Sequence, residues 1–559
     1  MKIQLRKNFL VLLIFILALG LRLVLLGNFP PSLNRDEAAI GWNAYSVLKT
    51  GRDEWGKSWP LAFKSFGDYK MPFYIYLTAP FIALFGLNEF SVRFPSAFFG
   101  SLTVLVVYFL VKELFSRLNS LTPGLRNSPA NRRGKGNPGV FSLAGLASFL
   151  LAISPWHLFY SRMAFEANLC LFLITAGWLF FLRARQKPAF LIAAGFLFGL
   201  SFYTYNSVFI FLPPLLLITL LIYRQELFTK KNFGGLLVAG LIFLFLFGHA
   251  AFSSWQVSQA KKAITIFSDP GIIDRFNHQR TFLFSQKPLL AKLWLNKPFY
   301  FLRIIFKNYL LTFSPKFLFF SGSSHPWHSS PGFGNFYRIE LVFVLLGIIS
   351  FFSLKGKSKW FLASWLLLSP LASAITVDAP HSTRSLPLII PLLVIVSLGI
   401  YRLAILLKNK QSKIFFSVLC SLFYVLSFGH WLYSFYYLFP RRQPPALMFG
   451  LKEALLFAQE KRTGEEIVMH NPPDSPYIYT LFHLKIDPEN FLKTVKRYGP
   501  GIDNLEHVRS FGQFKFLYPS AEEEKRGFYI LRRQGESSDK LEKIIVDPDG
   551  KPLFSVYYF

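Results

Sequence analysis

Residues 8–26 read NFLVLLIFILALGLRLVLL, and soon afterwards the chain reaches the polar stretch Asn34-Arg-Asp-Glu37. The apolar run has about the 20 residues that a helix needs to cross a bilayer. Three basic residues precede it, and no small-residue cleavage site follows it. The stretch therefore predicts an uncleaved transmembrane helix with a cytoplasmic N-terminus, which places Asn34–Glu37 on the outer face.

The composition of the whole chain is typical of a membrane protein. Of its 559 residues, 52% are hydrophobic and 18% are aromatic, and the formal net charge is +31. The first 440 residues hold 43 basic and 13 acidic residues, whereas the remainder holds 18 and 17. We exclude a nucleic-acid binder, because the excess of basic residues lies in the hydrophobic part of the chain and is explained by its membrane topology. Cys170 and Cys420 lie in apolar runs, so neither a disulfide framework nor a thiolate metal site is predicted.

Further apolar runs bring the predicted number of transmembrane helices to about eleven. The predicted spans are 8–26, 94–112, 138–156, 167–183, 189–205, 206–223, 234–252, 337–354, 359–376, 386–407 and 414–437. The short run Pro72–Gly86 contains two prolines and is predicted to be an interfacial or re-entrant helix. The inner segments then hold 22 basic residues, whereas the three short outer loops hold only Arg162 and Arg384. This bias predicts a multi-pass protein of the cell membrane.

Two long outer loops and a soluble tail complete the predicted organisation. The loops cover 27–93 and 253–336, and the aromatic, basic stretch Phe299–Phe320 is predicted to lie along the membrane. A transmembrane domain, 1–438, precedes a small extracytoplasmic α/β domain, 439–559. In this domain we predict helices at 446–461 and 487–497, strands at 466–469 and 528–531, and a hairpin over 544–558 that turns at Asp547–Gly550. The predicted fold class is an all-α polytopic membrane protein with interfacial helices in the first outer loop and this small α/β domain.

Asp36 and Glu37 are the first candidates for catalysis. Adjacent carboxylates beside apolar surface can divide the roles of general base and substrate ligand. The same pair can instead open a helix over Ala38–Leu48, where negative charge meets the helix N-terminus. The sequence supports both interpretations.

Lys70 and Glu166 are candidates at the outer boundary of the membrane. Lys70 follows Tyr69 just before the interfacial helix, and a lysine at this level suits a lipid phosphate, although such lysines also snorkel toward water. Glu166 begins the fourth span four residues after Arg162, so these two side chains can also form a helical ion pair. Tyr69 and Arg162 are weaker, substrate-lining candidates.

The later outer loops add basic and aromatic candidates. Arg384 can bind a phosphate through two parallel hydrogen bonds, and His381 is its candidate partner; alternatively, both anchor the chain at the interface. His325 and His328 suit a structural or substrate-lining role better than a metal site, because no third ligand is near them in the sequence. Tyr203, Tyr205 and Asn206, in the outer turn after the fifth span, are more typical of an interfacial aromatic belt than of a sugar site.

The predicted topology delivers these acidic and basic residues to one face of the membrane. A carboxylate that activates a hydroxyl, beside cations that receive a departing phosphate, is what sugar transfer from a lipid-linked phosphate requires. We therefore expect Asp36, Lys70, Glu166 and Arg384 to meet in one pocket that opens on the outer side.

Several motifs resemble those of the GT-C glycosyltransferases of the protein O-mannosyltransferase and lipid A aminoarabinose transferase superfamily. After Arg35-Asp36-Glu37 they are YKMPFYIYL at 69–77, EFSVRFPS at 89–96, SPWHLFYSRMAFE at 154–166 and PHSTRSLP at 380–387. The similarity covers residues 8–437, and the order of the motifs is more specific than any single motif.

The resemblance implies a polyprenyl- or dolichyl-phosphate-sugar donor and an inverting transfer to a hydroxyl of a lipid, glycan or protein. It makes Asp36 the general base, Glu37 its acceptor-binding neighbour, and Lys70 a ligand of the donor phosphate, joined by Arg384. Glu166 stands where many relatives place an aspartate. A divalent metal ion is compatible with the resemblance, and no metal ligands are assigned.

Two other classes of protein remain as alternatives. An oligosaccharyltransferase or polymer ligase would use a diphosphate carrier, but the Trp-Trp-Asp acceptor motif of oligosaccharyltransferases is absent from the sequence. A transporter or lipid flippase would bury charges near the bilayer midplane on broken helices, whereas the predicted spans are nearly uncharged.

Overall fold

The computed structural model is mostly helical and has several apolar helices, as predicted for a polytopic membrane protein. The described residues are 2–116, 138–261, 265–286, 296–407, 409–443, 447–470, 475–499, 506–517, 526–532 and 539–559. The basic inner loop predicted after the second span lies outside them. The chain forms two compact units, which are described separately.

The helices carry most of the fold. Those of the membrane part are Lys2–Leu23, Arg35–Thr50, Pro72–Phe85, Glu89–Ser116, Pro138–Ile153, Pro155–Ser161, Glu166–Arg183, Ala189–Ser201, Val208–Leu227, Lys230–Lys261, Pro270–Gln286, Lys297–Thr312, Glu340–Phe352, Lys357–Leu368, Leu371–Ala374, Ile389–Leu406 and Lys410–Tyr433. After them come Phe439–Arg442, Leu451–Lys461, Pro476–His483 and Pro488–Thr494. Short π-helical turns at Lys316–Ser321 and Ser434–Leu438 and a 3₁₀ turn at Leu386–Leu388 complete the set.

Six helices in the described part of the chain are long and apolar enough to cross a membrane. They are Glu89–Ser116, Glu166–Arg183, Val208–Leu227, Lys230–Ser253, Leu386–Leu406 and Lys410–Arg442. The helices Leu143–Ile153 and Pro155–Ser161, bent by 56°, make a seventh if they form one span. Other apolar helices have 10–17 residues, including Ala189–Ser201 and Glu340–Phe352, and at about 1.5 Å per residue they are shorter than the bilayer core. The predicted number of about eleven spans therefore stays a prediction.

The predicted span 359–376 is interrupted. Its helix, Lys357–Leu368, ends just before Pro370, and the short helix Leu371–Ala374 follows. A proline has no backbone N–H to continue the hydrogen-bond ladder of the first helix, which explains the break.

The first unit comprises Met1–Arg22, Phe98–Tyr160 and Glu166–Trp431. Its core depends on glycines where helices cross.

In this unit the helices Glu340–Phe352 and Ile389–Leu406 pack against each other. A Cβ atom on Gly347 would lie 2.0 Å from the carbonyl oxygen of Ile395, and one on Gly399 would lie equally close to a carbonyl oxygen of the first helix. Only glycine fits at these two positions, as is common where membrane helices approach closely.

The second unit combines three separated stretches of chain, Leu23–Ala97, Ser161–Phe165 and Leu432–Phe559. All strands of the described residues lie in this unit: β1 Phe63–Ser65, β2 Asp68–Lys70, β3 Glu466–His470, β4 Lys496–Arg497, β5 Val508–Phe511, β6 Phe514–Leu517, β7 Gly527–Arg532, β8 Leu541–Val546 and β9 Pro552–Tyr558. β1 and β2 form an antiparallel hairpin. Within the described residues the others form one seven-stranded sheet in the order β4-β5-β6-β3-β7-β9-β8.

The local predictions for the C-terminal stretch are mostly confirmed. The strands expected at 466–469 and 528–531 are β3 and β7, and the expected hairpin is β8–β9. Its turn includes Gly550 at a φ of +80°, a conformation that favours glycine. The helix expected at 487–497 is wrong at its end, because it stops at Thr494 and β4 pairs with β5 instead. That 439–559 form a separate extracytoplasmic domain stays a prediction.

Candidate functional site

Asn34 begins the helix that carries the first two acidic candidates. Its side-chain oxygen accepts a hydrogen bond from the Glu37 amide at 2.9 Å, and the Glu37 carboxylate accepts one from the Asn34 amide at 3.0 Å. This reciprocal pair is a capping box, and the helix runs over Arg35–Thr50. The prediction that the acidic pair opens a helix is therefore confirmed, and both acids lie in its first turn.

The Glu37 carboxylate is completely buried and surrounded by donors. Besides the Asn34 amide, the Nε of Arg93 donates to it at 3.0 Å and the amide of Ala164 at 2.9 Å. These three donors surround the carboxylate and tie it to the start of the helix. That Glu37 contacts an acceptor stays a prediction.

Arg93 is a residue that the sequence-based search did not select. It is fully buried, and its guanidinium also donates to the backbone oxygens of Pro30 at 2.8 Å and Ser32 at 2.7 Å. It thereby ties the segment before the helix to Glu37. The sequence feature that indicates Arg93 is its position at the start of an otherwise apolar span, where an arginine requires a partner.

Asp36 and Lys70 are brought together in the second unit. The Lys70 Nζ lies 2.8 Å from Asp36 Oδ1, and the two side chains are 5% and 43% exposed, respectively. The β1–β2 hairpin places Lys70 at the end of β2, after Tyr69. A buried cation therefore lies beneath a carboxylate that solvent can reach.

Arg162 lies in the same unit and is also buried. Its Nη2 donates to the backbone oxygen of Phe29 at 3.4 Å, and its guanidinium lies over the rings of Phe435 and Tyr436 at 5.6 and 5.5 Å. Desolvation lowers its pKa to about 10. Arg162 lies in the turn before the helix that begins at Glu166, so the two residues are not four positions apart on one helix, as the ion-pair interpretation assumed.

Arg384 and His381 lie together in the first unit. Arg384 forms an ion pair with Asp378 and donates to the hydroxyl of Thr376 at 3.0 Å. The Nδ1 of His381 accepts from the Thr383 amide at 3.2 Å, so a neutral ring carries its proton on Nε2, which lies 3.4 Å from Asp378. Burial, followed by the charges of His328 and Arg384, lowers the pKa of His381 well below its usual value.

The two histidines of the second long loop join this group. The ring centroids of His325 and His328 are 4.8 Å apart, and those of His328 and His381 are 4.4 Å apart. His328 Nδ1 lies 3.0 Å from the hydroxyl of Thr383, which also contacts Tyr160 Oη at 2.8 Å. Within the described ranges, no group of three or more His, Cys, Asp or Glu side chains is arranged to hold a metal ion. The structural or substrate-lining role of these histidines stays a prediction.

Glu166 begins a helix of the first unit, and Arg384 belongs to the same unit. The first unit thus collects Glu166 and Arg384, just as the second collects Asp36 and Lys70. That all four share one pocket stays a prediction.

The comparison with protein families gives one match within the region of the motifs. The model of the family described as dolichyl-phosphate-mannose-protein mannosyltransferase matches residues 69–125. The match begins at Tyr69 and includes Lys70 and Arg93. No curated protein matches the chain at a significant level.

Solved structures show what the fold is similar to. The archaeal oligosaccharyltransferase AglB from Archaeoglobus fulgidus, in complex with an inhibitory peptide and a dolichol-phosphate, aligns with a TM-score of 0.50 and 16% identity. The alignment covers 85% of this chain and 63% of AglB, so the chain spans less than two thirds of that protein's length. ArnT from Cupriavidus metallidurans, bound to undecaprenyl phosphate, gives a TM-score of 0.49 and 11% identity over 99% of this chain and 98% of ArnT. The fold is that of the GT-C glycosyltransferases, as the motifs predicted.

Proposed function

We propose that the protein is an integral membrane glycosyltransferase that moves a sugar from a polyprenyl-phosphate carrier to a hydroxyl acceptor. The single observation that carries the proposal is the 2.8 Å contact between Lys70 and the exposed Asp36. It joins a candidate base to a candidate phosphate ligand on a fold used for sugar transfer. The dolichol-phosphate bound to AglB supports a lipid phosphate as the leaving group.

The chemistry follows from the charges of these groups. The Asp36 carboxylate takes the proton of the acceptor hydroxyl, and the hydroxyl oxygen attacks the anomeric carbon of the sugar. The bond from that carbon to the phosphate oxygen breaks, and the lipid phosphate leaves with the electron pair. Attack opposite the leaving group inverts the anomeric centre. Lys70 stabilises the charge that develops on the phosphate.

The remaining candidates have supporting roles in this proposal. Glu37 fixes the first turn of the helix and thereby the position of Asp36, while Glu166 and His381 line the acceptor or donor path. We place this site and the 439–559 tail on the outer face of the cell membrane, with about eleven spans and a cytoplasmic N-terminus. The acceptor is a lipid, a glycan or a protein.

A second candidate is an oligosaccharyltransferase that uses a diphosphate carrier. The observation that favours it is the alignment with AglB, at a TM-score of 0.50. The missing Trp-Trp-Asp motif counts against it.

The test is transfer of radiolabel by the purified full-length protein. The protein is incubated with membrane extract and a panel of labelled polyprenyl-phosphate and polyprenyl-diphosphate sugars. We expect label to move from a monophosphate carrier into lipid, glycan or protein. We expect the Asp36→Asn variant to lose this transfer while it still folds, with a melting temperature lowered only by the loss of the ion pair with Lys70. Transfer from diphosphate carriers alone would favour the second candidate, and full activity of Asp36→Asn would contradict the assignment of the base.

A further inference from the structure

A buried carboxylate connects the helix that carries Asp36 to the hairpin that carries Lys70. Glu54 lies between these two elements in the chain and is completely buried. Its Oε2 accepts a hydrogen bond from Asn43 Nδ2 at 3.0 Å and another from the hydroxyl of Ser65 at 3.1 Å. Asn43 belongs to the helix of Asp36, and Ser65 is the last residue of β1. One carboxylate oxygen is therefore bonded to both elements.

The contact with the helix is reciprocal. The backbone amide of Glu54 donates to Asn43 Oδ1 at 3.0 Å, so Asn43 is bonded to both the backbone and the side chain of Glu54. Asn43 follows Asp36 by seven residues, which is about two turns of helix. The two residues therefore start from nearly the same side of the helix, and Glu54 fixes that side close to Asp36.

The contact with the hairpin reaches Lys70 through strand pairing. In the antiparallel register, Phe63 pairs with Lys70 and Ser65 pairs with Asp68. Because Ser65 is only two residues from the strand partner of Lys70, a displacement of Ser65 also displaces Lys70. The 2.8 Å distance between Lys70 Nζ and Asp36 Oδ1 therefore depends on how Glu54 holds the helix and the hairpin.

The third side-chain donor to the Glu54 carboxylate comes from the C-terminal stretch. The hydroxyl of Tyr477 donates to Glu54 Oε1 at 2.9 Å and accepts a hydrogen bond from the Phe66 amide at 3.3 Å. Burial raises the pKa of Glu54, whereas the bonds from Asn43 and Tyr477 lower it. A buried carboxylate that loses a donor is costly, because no water replaces the lost bond. Tyr477 therefore stabilises Glu54 in its position.

We propose that Glu54 is a positioning residue that holds Asp36 against Lys70, and that Tyr477 of the C-terminal stretch fixes Glu54 in place. Because Glu54 is completely buried, it acts through the helix and the hairpin, and not by contact with a substrate. The inference rests on the proposed function, in which Asp36 takes the proton of the acceptor and Lys70 meets the donor phosphate. It gives the C-terminal stretch a part in the geometry of the site.

The test measures the contact between Asp36 and Lys70 without donor or acceptor. The full-length protein in detergent is treated with a carbodiimide, which joins a carboxylate to an adjacent amine as an amide, and the cross-linked Asp36–Lys70 product is quantified by mass spectrometry. The ion pair of Lys515 with Glu466, at 2.6 Å in the same unit, is the internal reference. Glu54→Gln keeps the size of the side chain and removes its charge. We expect it to lower the cross-linked product about threefold to tenfold relative to the reference.

Two matched controls separate positioning from a general loss of packing. Asp53→Asn changes the neighbouring buried carboxylate, which accepts hydrogen bonds from the amides of Trp55 and Lys57 in its own loop. Tyr498→Phe removes a hydroxyl of the same unit that donates to a backbone oxygen at 2.9 Å. Both controls should leave the cross-linked product at the wild-type level.

Tyr477→Phe tests the contribution of the C-terminal stretch, since it removes only the hydroxyl. We expect it to lower the cross-linked product about twofold to fivefold, and this variant decides alone if Glu54→Gln does not fold. The inference is overturned if both variants keep the wild-type yield, or if the two controls lower the yield equally. A wild-type protein that gives no Asp36–Lys70 product also overturns it, because that contact is its starting point.

Transfer of radiolabel is measured on the same preparations. We expect transfer by Glu54→Gln and Tyr477→Phe to fall together with the yield of cross-linked product. Full transfer by a variant with a reduced yield would overturn the role of Glu54 in the reaction. A wild-type protein without transfer activity would contradict the proposed function, and the yields would still decide whether Glu54 holds Asp36 against Lys70.

Discussion

Asp36 and Glu37 are neighbours in the sequence and have opposite surroundings. Glu37 faces inward and is bonded to Arg93 and to two backbone amides, whereas Asp36 is 43% exposed and touches Lys70. Two adjacent positions in the first turn of one helix therefore carry a buried carboxylate and a carboxylate that solvent can reach. The pair is visible in the sequence, whereas the difference in burial appears only in the structure.

Arg93 provides a test of the structural role of Glu37. Because Arg93→Met leaves a buried carboxylate without its cation, we expect a loss of about 3–5 kcal/mol of unfolding free energy. The measurement is unfolding of the full-length protein in detergent, followed by tryptophan fluorescence. Arg441→Met is the matched control, since it removes a partly exposed ion pair with Asp549 and should cost under about 1 kcal/mol. Equal stability of the two variants would contradict the role.

His483 predicts a pH dependence of stability. Its side chain is 3% exposed, and desolvation lowers its pKa from 6.5 to about 4, so the unfolded chain binds the proton more tightly. The contribution of the neutral His483 side chain to the free energy of unfolding is complete above pH 6.5 and is lost as the pH falls toward 4. By pH 5 the loss is about 2 kcal/mol. We expect His483→Gln to remove this part of the difference between pH 7 and pH 5 in denaturant unfolding. His278→Gln changes an exposed histidine and should show the same pH dependence as the wild-type protein. If His483→Gln loses as much unfolding free energy between pH 7 and pH 5 as the wild-type protein, the role of His483 is refuted.

At the scale of elements, the helix crossing at Gly347 and Gly399 leaves no space for a side chain. Gly399→Ala should separate the two helices and destabilise the protein by about 1–3 kcal/mol, because the added methyl group meets a backbone oxygen that cannot move alone. The control is Gly429→Ala, in another apolar helix, where a Cβ meets nothing within 4 Å. Melting temperatures of the detergent-solubilised variants test this. If Gly399→Ala is as stable as Gly429→Ala, the two helices can separate without a cost in stability, and the requirement for glycine at this crossing is contradicted.

Local chemistry explains which elements could be predicted from the sequence. The helix after Asn34 and the β8–β9 hairpin follow from a cap and a turn, which are encoded within a few residues. The end of the helix at Thr494 was missed because pairing of the following strand and the bond from Arg497 to the Glu54 carbonyl oxygen are tertiary effects. The sequence predicted that Asp36 and Lys70 meet, but the hairpin that brings Lys70 to 2.8 Å from Asp36 depends on strand pairing that was not predicted from the sequence.

At the scale of the whole molecule, the charge bias of the loops predicts sidedness. In a Cys170→Ala, Cys420→Ser background, a cysteine at Trp59 should react with an impermeant maleimide in intact cells, because it lies in the first outer loop. One at Lys355 should react only after the membrane is opened. Both native side chains are exposed, so access is limited by the membrane alone. Labelling of Lys355→Cys in intact cells would show that the topology is the reverse of the predicted one and would contradict the proposed outer site.

The order of protein synthesis gives the hydrogen bond between Glu54 and Tyr477 a further meaning. The two residues are 423 positions apart, so at ribosomal rates of about 5–20 residues per second Glu54 leaves the ribosome roughly 20–80 s before its partner. During that interval the Glu54 carboxylate has its nearby partners Asn43 and Ser65 but lacks the Tyr477 hydroxyl. A nascent chain that stalls before Tyr477 therefore carries a first loop without this contact, and we expect proteases to cleave that loop faster than in the full-length protein.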